Sequence, residues 1–303
     1  MRALRLPALE AALAGARQES TQARGMAGWL AATFGLEGTV PHAAISLSGE
    51  GLPREGTWLH ADPVHLRIGQ DAVALHDASA LGLSREEANA LVAALQRHFE
   101  SDQLVFLSPA PDRWYVRVPE EEVPATTPLD DALGRNIFGL LPRGAGRFNW
   151  PAAVTEAQML FSTHPVNEAR ESQRRATVNG VWFWGEGTAP ASVAHAYDAV
   201  HGGDAFARGL AKLSGAGRTL EGERVLVILD AAAAAVRAGV AEDWIVALRE
   251  AERDWFSRLD ALRARYGSVR LVVPGANGTR LFTLRRPRLL SFLTRPKPLA
   301  DHA

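Results

Sequence analysis

Three polar side chains, His164, Asn167 and Arg170, stand three residues apart in the segment HPVNEAR. Pro165 stops any helix that precedes it, and Asn167 and Arg170 then lie one turn apart on the helix that follows. An imidazole, an amide and a guanidinium on one turn could bind a phosphate or a carboxylate, with the guanidinium making a bidentate contact. Alternatively, His164 and Asn167 cap helices and Arg170 pairs with a nearby carboxylate. The spacing leaves both interpretations open.

A second group of candidate binding residues follows in the segment NGVWFWGEG. In an extended segment, Trp182 and Trp184 face one side and Phe183 faces the other. The glycines that follow let the backbone approach a ligand or a neighbouring strand closely. Core packing is the alternative role for the indoles and the glycines. The predicted ligand-binding set is His164, Asn167, Arg170, Asn179, Trp182, Trp184, Gly185 and Gly187.

Other polar residues give weaker indications of chemistry. His60, Asp62 and His65 have a spacing found in metal sites, but on a strand His65 points away from the other two unless the intervening proline kinks the chain. Hydrogen bonding is the expected role of Asp62 and His65. Ser46 and Ser48 have no base beside them in sequence, and cysteine is absent. We predict no metal site and no cofactor, and the catalytic residues of any reaction stay unknown. Four further histidines stand alone in their segments: His76, His98, His195 and His201.

Composition is that of a globular protein. The chain has 303 residues, of which 47% are hydrophobic and 22% charged, enough for one large core or two moderate ones. The net charge of -1 argues against general nucleic-acid binding, which needs a surplus of Lys and Arg. No uncharged run approaches the ~20 residues of a membrane span, and Pro7 and Glu10 make the N-terminus a poor signal peptide. We expect a cytoplasmic protein of bacterial type, with no nucleic-acid or membrane partner and with its protein partners unknown.

The elements that position the candidate residues begin with two short helices within 8–34 and a strand over 39–48. The segments WLHADPVHLRI and AVALHD are predicted as two extended pieces joined by a turn. Ser84 and Glu87 form a capping box that opens the clearest helix. The segments QLVFL and RWYVRV follow as a hairpin. A helix packed on several short antiparallel strands predicts an α+β unit of about 100 residues. The apolar stripe of the helix is Ala88, Leu91, Val92, Leu95 and Phe99.

The pattern changes after Pro190. Alanine-rich helices are predicted over 191–213, and ERVLVILD is typical of a strand covered on both faces. A long amphipathic helix runs from Trp244 to Leu262, and VRLVV and RLFTLR form a final pair of strands. A buried strand followed by a helix and another strand is an α/β pattern, unlike the middle of the chain.

Over residues 127–190 the sequence resembles the archaeal-type cofactor-independent phosphoglycerate mutases of the alkaline-phosphatase superfamily. The similarity is carried by TPLDDALGRNIFGLLP, by HPVN at 164–167 with Arg170, and by Asn179 with VWFWGEG at 181–187. A closer likeness is to proteobacterial proteins described either as phosphoglycerate mutase or as the regulatory protein RpfE. That likeness implies an association with regulation.

The sequence departs from this family where its chemistry takes place. The family uses a Ser or Thr nucleophile held against two divalent metals by several Asp and His residues. The place of that nucleophile falls here at Val40 or Pro41. Asp230 is kept at the end of a strand, but the histidine that follows it in the family is lost in Ala231 to Ala235. The first strand of the family, with its Asp-Gly, is missing. The two-metal mechanism is therefore not expected to operate.

These observations predict an α/β fold with a reduced alkaline-phosphatase-like core and an inserted α+β domain. The core is assigned to 1–66 and 177–303, and the insert to 67–176. The resemblance implies a phosphoglycerate-mutase-related protein that binds a small phosphorylated or carboxylated metabolite near His164, Asn167, Arg170 and Asn179, in a regulatory role. Two alternatives stay open. One is an active phosphoglycerate mutase, an isomerase, and the other is a non-catalytic interaction scaffold.

Overall fold

The computed structural model describes residues 4–68, 73–77, 81–238 and 240–284. These residues form two compact units. The central unit contains residues 37–193 and 204–213, and the terminal unit contains residues 1–36, 194–203 and those from 214 onward. The predicted boundaries at 66/67 and 176/177 both fall inside the central unit. The division into a reduced alkaline-phosphatase-like core and an inserted domain stays a prediction.

The chain combines helices and strands throughout. The strands are β1 Arg17–Thr21, β2 Thr57–Ile68, β3 Val73–Asp77, β4 Val105–Ala110, β5 Arg113–Val118, β6 Gly180–Gly187, β7 Ala199–Gly202, β8 Val225–Ile228, β9 Val269–Gly275 and β10 Gly278–Leu284. The α-helices are α1 Pro7–Leu13, α2 Gly25–Thr33, α3 His42–Glu50, α4 Arg85–His98, α5 Leu129–Ala132, α6 Trp150–Ser162, α7 Pro165–Ser172, α8 Ala205–Ser214, α9 Ala231–Ala238, α10 Ala241–Asp254 and α11 Leu259–Tyr266. Single turns of 3-10 helix cover Glu100–Asp102, Glu120–Glu122, Ile137–Gly139 and Phe256–Arg258.

The sheet of the central unit is built around the long strand β2. One edge of β2 pairs with β6, and its other edge pairs first with β5 and then with β3. Strand β4 extends the sheet beyond β5. All of these pairs are antiparallel. The structure confirms the two extended pieces predicted at β2 and β3 and the hairpin of β4 and β5.

Helix α4 covers this sheet, and its start confirms the predicted capping box. The Ser84 hydroxyl accepts a hydrogen bond from the backbone N–H of Glu87 at 3.1 Å, and the Glu87 carboxylate accepts one from the N–H of Ser84 at 2.8 Å. Together these bonds satisfy two N–H groups that would otherwise lack partners. The predicted apolar stripe of α4 is buried in the main core together with Trp114, Trp150 and Phe183.

The predicted strand over 39–48 is wrong, because His42–Glu50 form helix α3. Residues 43–48 are all buried, since α3 packs against β2 and β6 on one side and against α8 on another. The two helices come so close that a Cβ on Gly209 would lie 1.9 Å from the carbonyl oxygen of Ile45. A helix enclosed in this way has no solvent-facing side, so small and apolar residues predominate in its sequence, which then resembles a buried strand.

The terminal unit contains an antiparallel sheet in the order β1-β10-β9 and a separate parallel pair of β7 and β8. The pairing of β9 with β10 confirms the predicted final strands. Helices α1 and α2 match the two predicted in 8–34, but β1 between them is a strand that the prediction lacks. All five residues of β1 are exposed, so the sequence shows no alternation there. None of the helices in the described ranges is long and apolar enough to cross a bilayer.

Three predictions after Pro190 need correction. Within 191–213, α8 is preceded by β7, because pairing with β8 outweighs the helix propensity of an alanine-rich segment. Strand β8 is buried at alternate residues, so it is covered on one face and not on both. The predicted long helix breaks between α10 and α11, where the Ser257 hydroxyl donates to the carbonyl of Arg253 at 2.7 Å. Such a bond to the preceding turn bends helices.

Candidate functional site

Arg170, on α7, is buried, and each nitrogen of its guanidinium has a partner inside the protein. Nε donates to the carbonyl of Ala176 at 2.7 Å, one terminal nitrogen donates to Oε2 of Glu87 at 2.8 Å, and the other donates to the carbonyl of Leu81 at 2.5 Å. The side chain is 1% exposed. Arg170 thus fastens α7 to the start of α4. These contacts match the structural interpretation of the sequence, an ion pair with a carboxylate.

The two asparagines of the predicted site are also bonded to backbone. Asn167 donates to the carbonyls of Phe161 and Val178 at 2.8 and 2.7 Å and accepts from the N–H of Val178 at 3.0 Å. Asn179 accepts from the N–H of Leu66 at 2.6 Å and donates to the carbonyl of the same residue at 2.9 Å. The side-chain amides therefore supply hydrogen-bond partners to the backbone groups of Phe161, Val178 and Leu66.

His164 caps the N-terminus of α7. Its Nδ1 accepts a hydrogen bond from the backbone N–H of Val166 at 3.2 Å. Burial lowers the pKa of the His164 imidazole, and the positive charge of Arg97 lowers it further. A neutral imidazole at the start of a helix attracts an anion less strongly than a protonated imidazole would.

The indoles of Trp182 and Trp184 share one face of β6, as the alternation of the strand predicts, while Phe183 enters the main core on the other face. The Trp182 Nε1 donates to the carbonyl of Thr127 at 2.9 Å, and the Trp184 Nε1 donates to Oδ2 of Asp62 at 2.8 Å. Trp182 is buried, and its ring packs in a core cluster with Val64 and Leu75.

The glycines after the indoles admit the start of α3. Gly185 and Gly187 have positive φ angles of 70° and 136°. A Cβ on Gly185 would lie 2.9 Å from the Cβ of His42, and one on Gly187 would lie 2.8 Å from the Cβ of Pro41. The close approach that these glycines allow is therefore one made by His42 and Pro41 of the protein itself.

The structure contains a polar cluster that the sequence did not indicate, centred on His42 of α3 and His60 of β2. Nδ1 of His42 lies 3.0 Å from Nε2 of His60 and 3.4 Å from the Ser46 hydroxyl. Phe206 stacks on His42 with ring centroids 4.0 Å apart, and Trp184 stacks on His60 at 4.3 Å. His42 and Ser46 are four residues apart, so their side chains are neighbours on a helix but not on a strand. Because a strand was predicted for 39–48, this contact was not predicted.

Two polar atoms of this His42–His60 cluster have no hydrogen bond within the described residues, namely His60 Nδ1 and the buried hydroxyl of Tyr115. The nearest acid is Asp62, whose Oδ2 lies 3.7 Å from His60 Nδ1 and whose Oδ1 accepts from the N–H of Trp114 at 3.1 Å. Burial raises the pKa of Tyr115. Burial and the neighbouring His60 hold the pKa of His42 well below its usual value. Both groups are therefore held in their neutral forms near pH 7.

The order of Ser46, His42, His60 and Asp62 resembles a chain from a nucleophile through bases to an acid. Ser46, which belongs to α3, is only 1% exposed, however. No substrate can reach it in this arrangement. The cluster is a buried polar network that joins α3 and α8 to the sheet.

The other predicted polar residues lie apart from this cluster. His65 pairs through Nδ1 with the carbonyl of Thr177 at 2.8 Å, which agrees with the expected hydrogen-bonding role. His98 contacts Glu156, His195 contacts the carbonyl of Ser214, and the side chain of His76 lies outside the described residues. Within the described ranges, no group of three or more His, Asp or Glu side chains is placed so that it could coordinate a metal ion.

A small cavity of about 160 Å³ lies beside Asn179. Its apolar lining comes from β2, from the segment at 137–141 and from α6. The residues are Leu66, Ile137, Phe138, Leu141 and Val154. Its polar lining consists of Thr155, Gln158 and Asn179. Of the predicted ligand-binding set, Asn179 alone is among these lining residues.

The chain is distantly similar in sequence to cofactor-independent phosphoglycerate mutases. It is 28% identical over 119 residues to the 2,3-bisphosphoglycerate-independent phosphoglycerate mutase of Methanosarcina barkeri, a match that covers 38% of this chain and 30% of that enzyme. The enzyme of Methanothrix thermoacetophila is 38% identical over 64 residues, covering 21% of this chain and 16% of the enzyme. The matches thus span about a third or less of the length of these curated relatives. No family model matches the chain.

Two solved structures are similar in outline. The cofactor-independent phosphoglycerate mutase of Thermoplasma acidophilum aligns with 99% of this chain and 87% of its own, at 13% identity and a TM-score of 0.42. A protein of Pyrococcus horikoshii aligns with 96% of this chain and 83% of its own, at 14% identity and a TM-score of 0.46.

Proposed function

We propose that this chain is a non-catalytic relative of the cofactor-independent phosphoglycerate mutases, of the RpfE-type branch, and that it acts in regulation as an interaction protein. The observation that carries the proposal is the internal engagement of Arg170. A guanidinium that captures a phosphorylated acid must present its N–H groups to the ligand. In this chain its three nitrogens contact Ala176, Glu87 and Leu81 instead.

The residues at the place of the family's nucleophile support the same proposal. Val40 and Pro41 stand where the resemblance places the family's serine or threonine, and neither side chain can carry a phosphoryl group. The nearest hydroxyl in the sequence is that of Thr39, which is exposed beside Val40, and the next is that of Ser46, which is buried on α3. The residues of the HPVN motif then serve the architecture of the central unit.

Binding of a phosphorylated or carboxylated metabolite is a second candidate function, favoured by the position of Asn179 beside a cavity. The described lining of that cavity carries no positive charge, so a phosphate or carboxylate would lose its hydration there without gaining a counter-charge. The non-catalytic interaction role is therefore the one we place first.

A coupled phosphoglycerate mutase assay with added Mn²⁺, run beside an active cofactor-independent mutase, tests the proposal. We expect no turnover above the blank. Turnover that depends on Mn²⁺ would refute the non-catalytic role. Thermal-shift measurements with 2- and 3-phosphoglycerate test the second candidate, because a ligand at ~100 times its dissociation constant adds ~2.7 kcal/mol of stability. A shift that disappears in His164→Ala would favour metabolite binding over the interaction role.

A further inference from the structure

We infer that the cavity beside Asn179 is a binding site for a small, uncharged molecule with an apolar ring or branched chain and one hydrogen-bonding group. This inference goes beyond the proposed interaction role. It can fail without that role failing, because turnover of phosphoglycerate and occupancy of the cavity are measured separately.

The size of the ligand follows from the volume. At about 160 Å³, the cavity has about the same volume as an engineered, fully apolar cavity of about 150 Å³ that binds benzene, but it is partly open and has three polar residues in its lining. Sites for drug-sized ligands begin at about 300 Å³. A single six-membered ring with one or two substituents therefore fits, and a nucleotide or a sugar phosphate does not.

The lining determines the charge of the ligand. Leu66, Ile137 and Val154 are buried apolar walls, and the described lining contains no Asp, Glu, Lys, Arg or His. A charged group that entered between these walls would lose part of its hydration without gaining a counter-charge, which disfavours it. Phe138 is 61% exposed beside the cavity, and an occupant would cover part of its ring.

Gln158 supplies the hydrogen-bonding group. It is half-buried on α6, and its amide makes no hydrogen bond to any residue in the described part of the chain. The amide offers both a donor and an acceptor. The other polar lining residues already have partners, because Thr155 donates to the carbonyl of Pro151 and Asn179 bonds to the backbone of Leu66. A ligand hydroxyl or amide is therefore expected to bond to Gln158.

Titrations followed by methyl NMR test this site. Benzene, phenol, benzamide and benzoate are added separately to the full chain, and the methyl resonances of Leu66, Ile137, Leu141 and Val154 are monitored. We expect the three neutral probes to shift these resonances in a saturable way. Benzoate has the shape of benzamide but a negative charge, so we expect it to bind at least about tenfold more weakly, which corresponds to 1.4 kcal/mol.

Two variants separate the roles of the lining residues. Gln158→Leu should weaken binding of phenol and benzamide severalfold while leaving benzene unchanged, whereas Gln173→Leu, at the end of α7, should change none of them. Val154→Phe should fill the cavity and abolish binding of all three neutral probes. The inference is overturned if no neutral probe shifts the methyl resonances, if benzoate binds as well as benzamide, or if Gln158→Leu and Gln173→Leu behave alike.

Discussion

Replacing Arg170 with methionine should destabilise the central unit by about 4 kcal/mol. The change keeps most of the side-chain volume but removes all three guanidinium contacts. The carbonyls of Leu81 and Ala176 lose their partner, at about 1–3 kcal/mol for each buried group. Glu87 also loses its buried counter-charge, and breaking a buried ion pair costs about 3–5 kcal/mol. Because Glu87 keeps its bond from Arg175 at 3.0 Å, the total should stay within that range and not reach the sum.

Arg175 offers a matched control on the same carboxylate. It also pairs with Glu87, but its side chain is 39% exposed. Exposed ion pairs contribute about 0–1 kcal/mol, so Arg175→Met should change stability by no more than that. Urea unfolding followed by tryptophan fluorescence and by circular dichroism measures both variants. If Arg170→Met costs less than about 1 kcal/mol, or if both variants cost the same, the structural role assigned to Arg170 is wrong. If the guanidinium instead served to bind a ligand, its removal would leave the free energy of unfolding unchanged and would abolish the thermal shift caused by that ligand.

Three further predictions concern other contacts of the fold. Burial lowers the pKa of His42, so below about pH 6.5 the unfolded chain takes up a proton at this residue and the folded chain does not. The free energy of unfolding should therefore fall with decreasing pH, by at most ~1.4 kcal/mol per pH unit for this residue. A His42→Gln variant with the same pH dependence of stability as the wild type would contradict this. Gly209→Ala should lower the free energy of unfolding in urea by at least about 2 kcal/mol, because the new Cβ would clash with the carbonyl of Ile45. Gly28→Ala in α2 should instead raise it by about 0.5–1 kcal/mol, because the new Cβ meets no atom within 4 Å. Equal effects of the two glycine changes would be inconsistent with the close packing of α3 on α8. Ser84→Ala should cost about 1 kcal/mol by thermal or urea unfolding, and no loss would mean that the capping box does not stabilise α4.

The parts of the fold that the sequence predicts are those with local causes. The start of α4 depends on a side chain and a backbone group three residues apart, and the hairpin of β4 and β5 depends on a short turn between two apolar segments. Helix α3 and strand β1 were predicted wrongly because their causes are distant. Helix α3 is enclosed by α8 from more than 150 residues later, and β1 is defined by its pairing with β10 near the other end of the described chain.

The same limit applies to the candidate site. The sequence identifies Arg170 as unusual but cannot reveal that its carboxylate partner, Glu87, lies 83 residues earlier. It likewise cannot join His42 to His60, because that contact requires a helix and a strand to pack against each other. The types of the residues were therefore informative, whereas the choice between ligand binding and internal bonding depends on tertiary structure.

These contacts give the residues of the HPVN motif, together with Arg170 and Asn179, a structural role that does not depend on a ligand. Asn167 joins α6 to the segment before β6, Arg170 joins α7 to α4, and Asn179 joins β6 to β2. The contacts of Asn167 are local in sequence, whereas those of Arg170 with Glu87 and of Asn179 with Leu66 span 83 and 113 residues. Loss of any of these side chains would leave backbone groups without partners. The stability of the central unit therefore depends on these residues whether or not a ligand binds. The presence of this motif therefore does not by itself distinguish a structural role from a role in ligand binding.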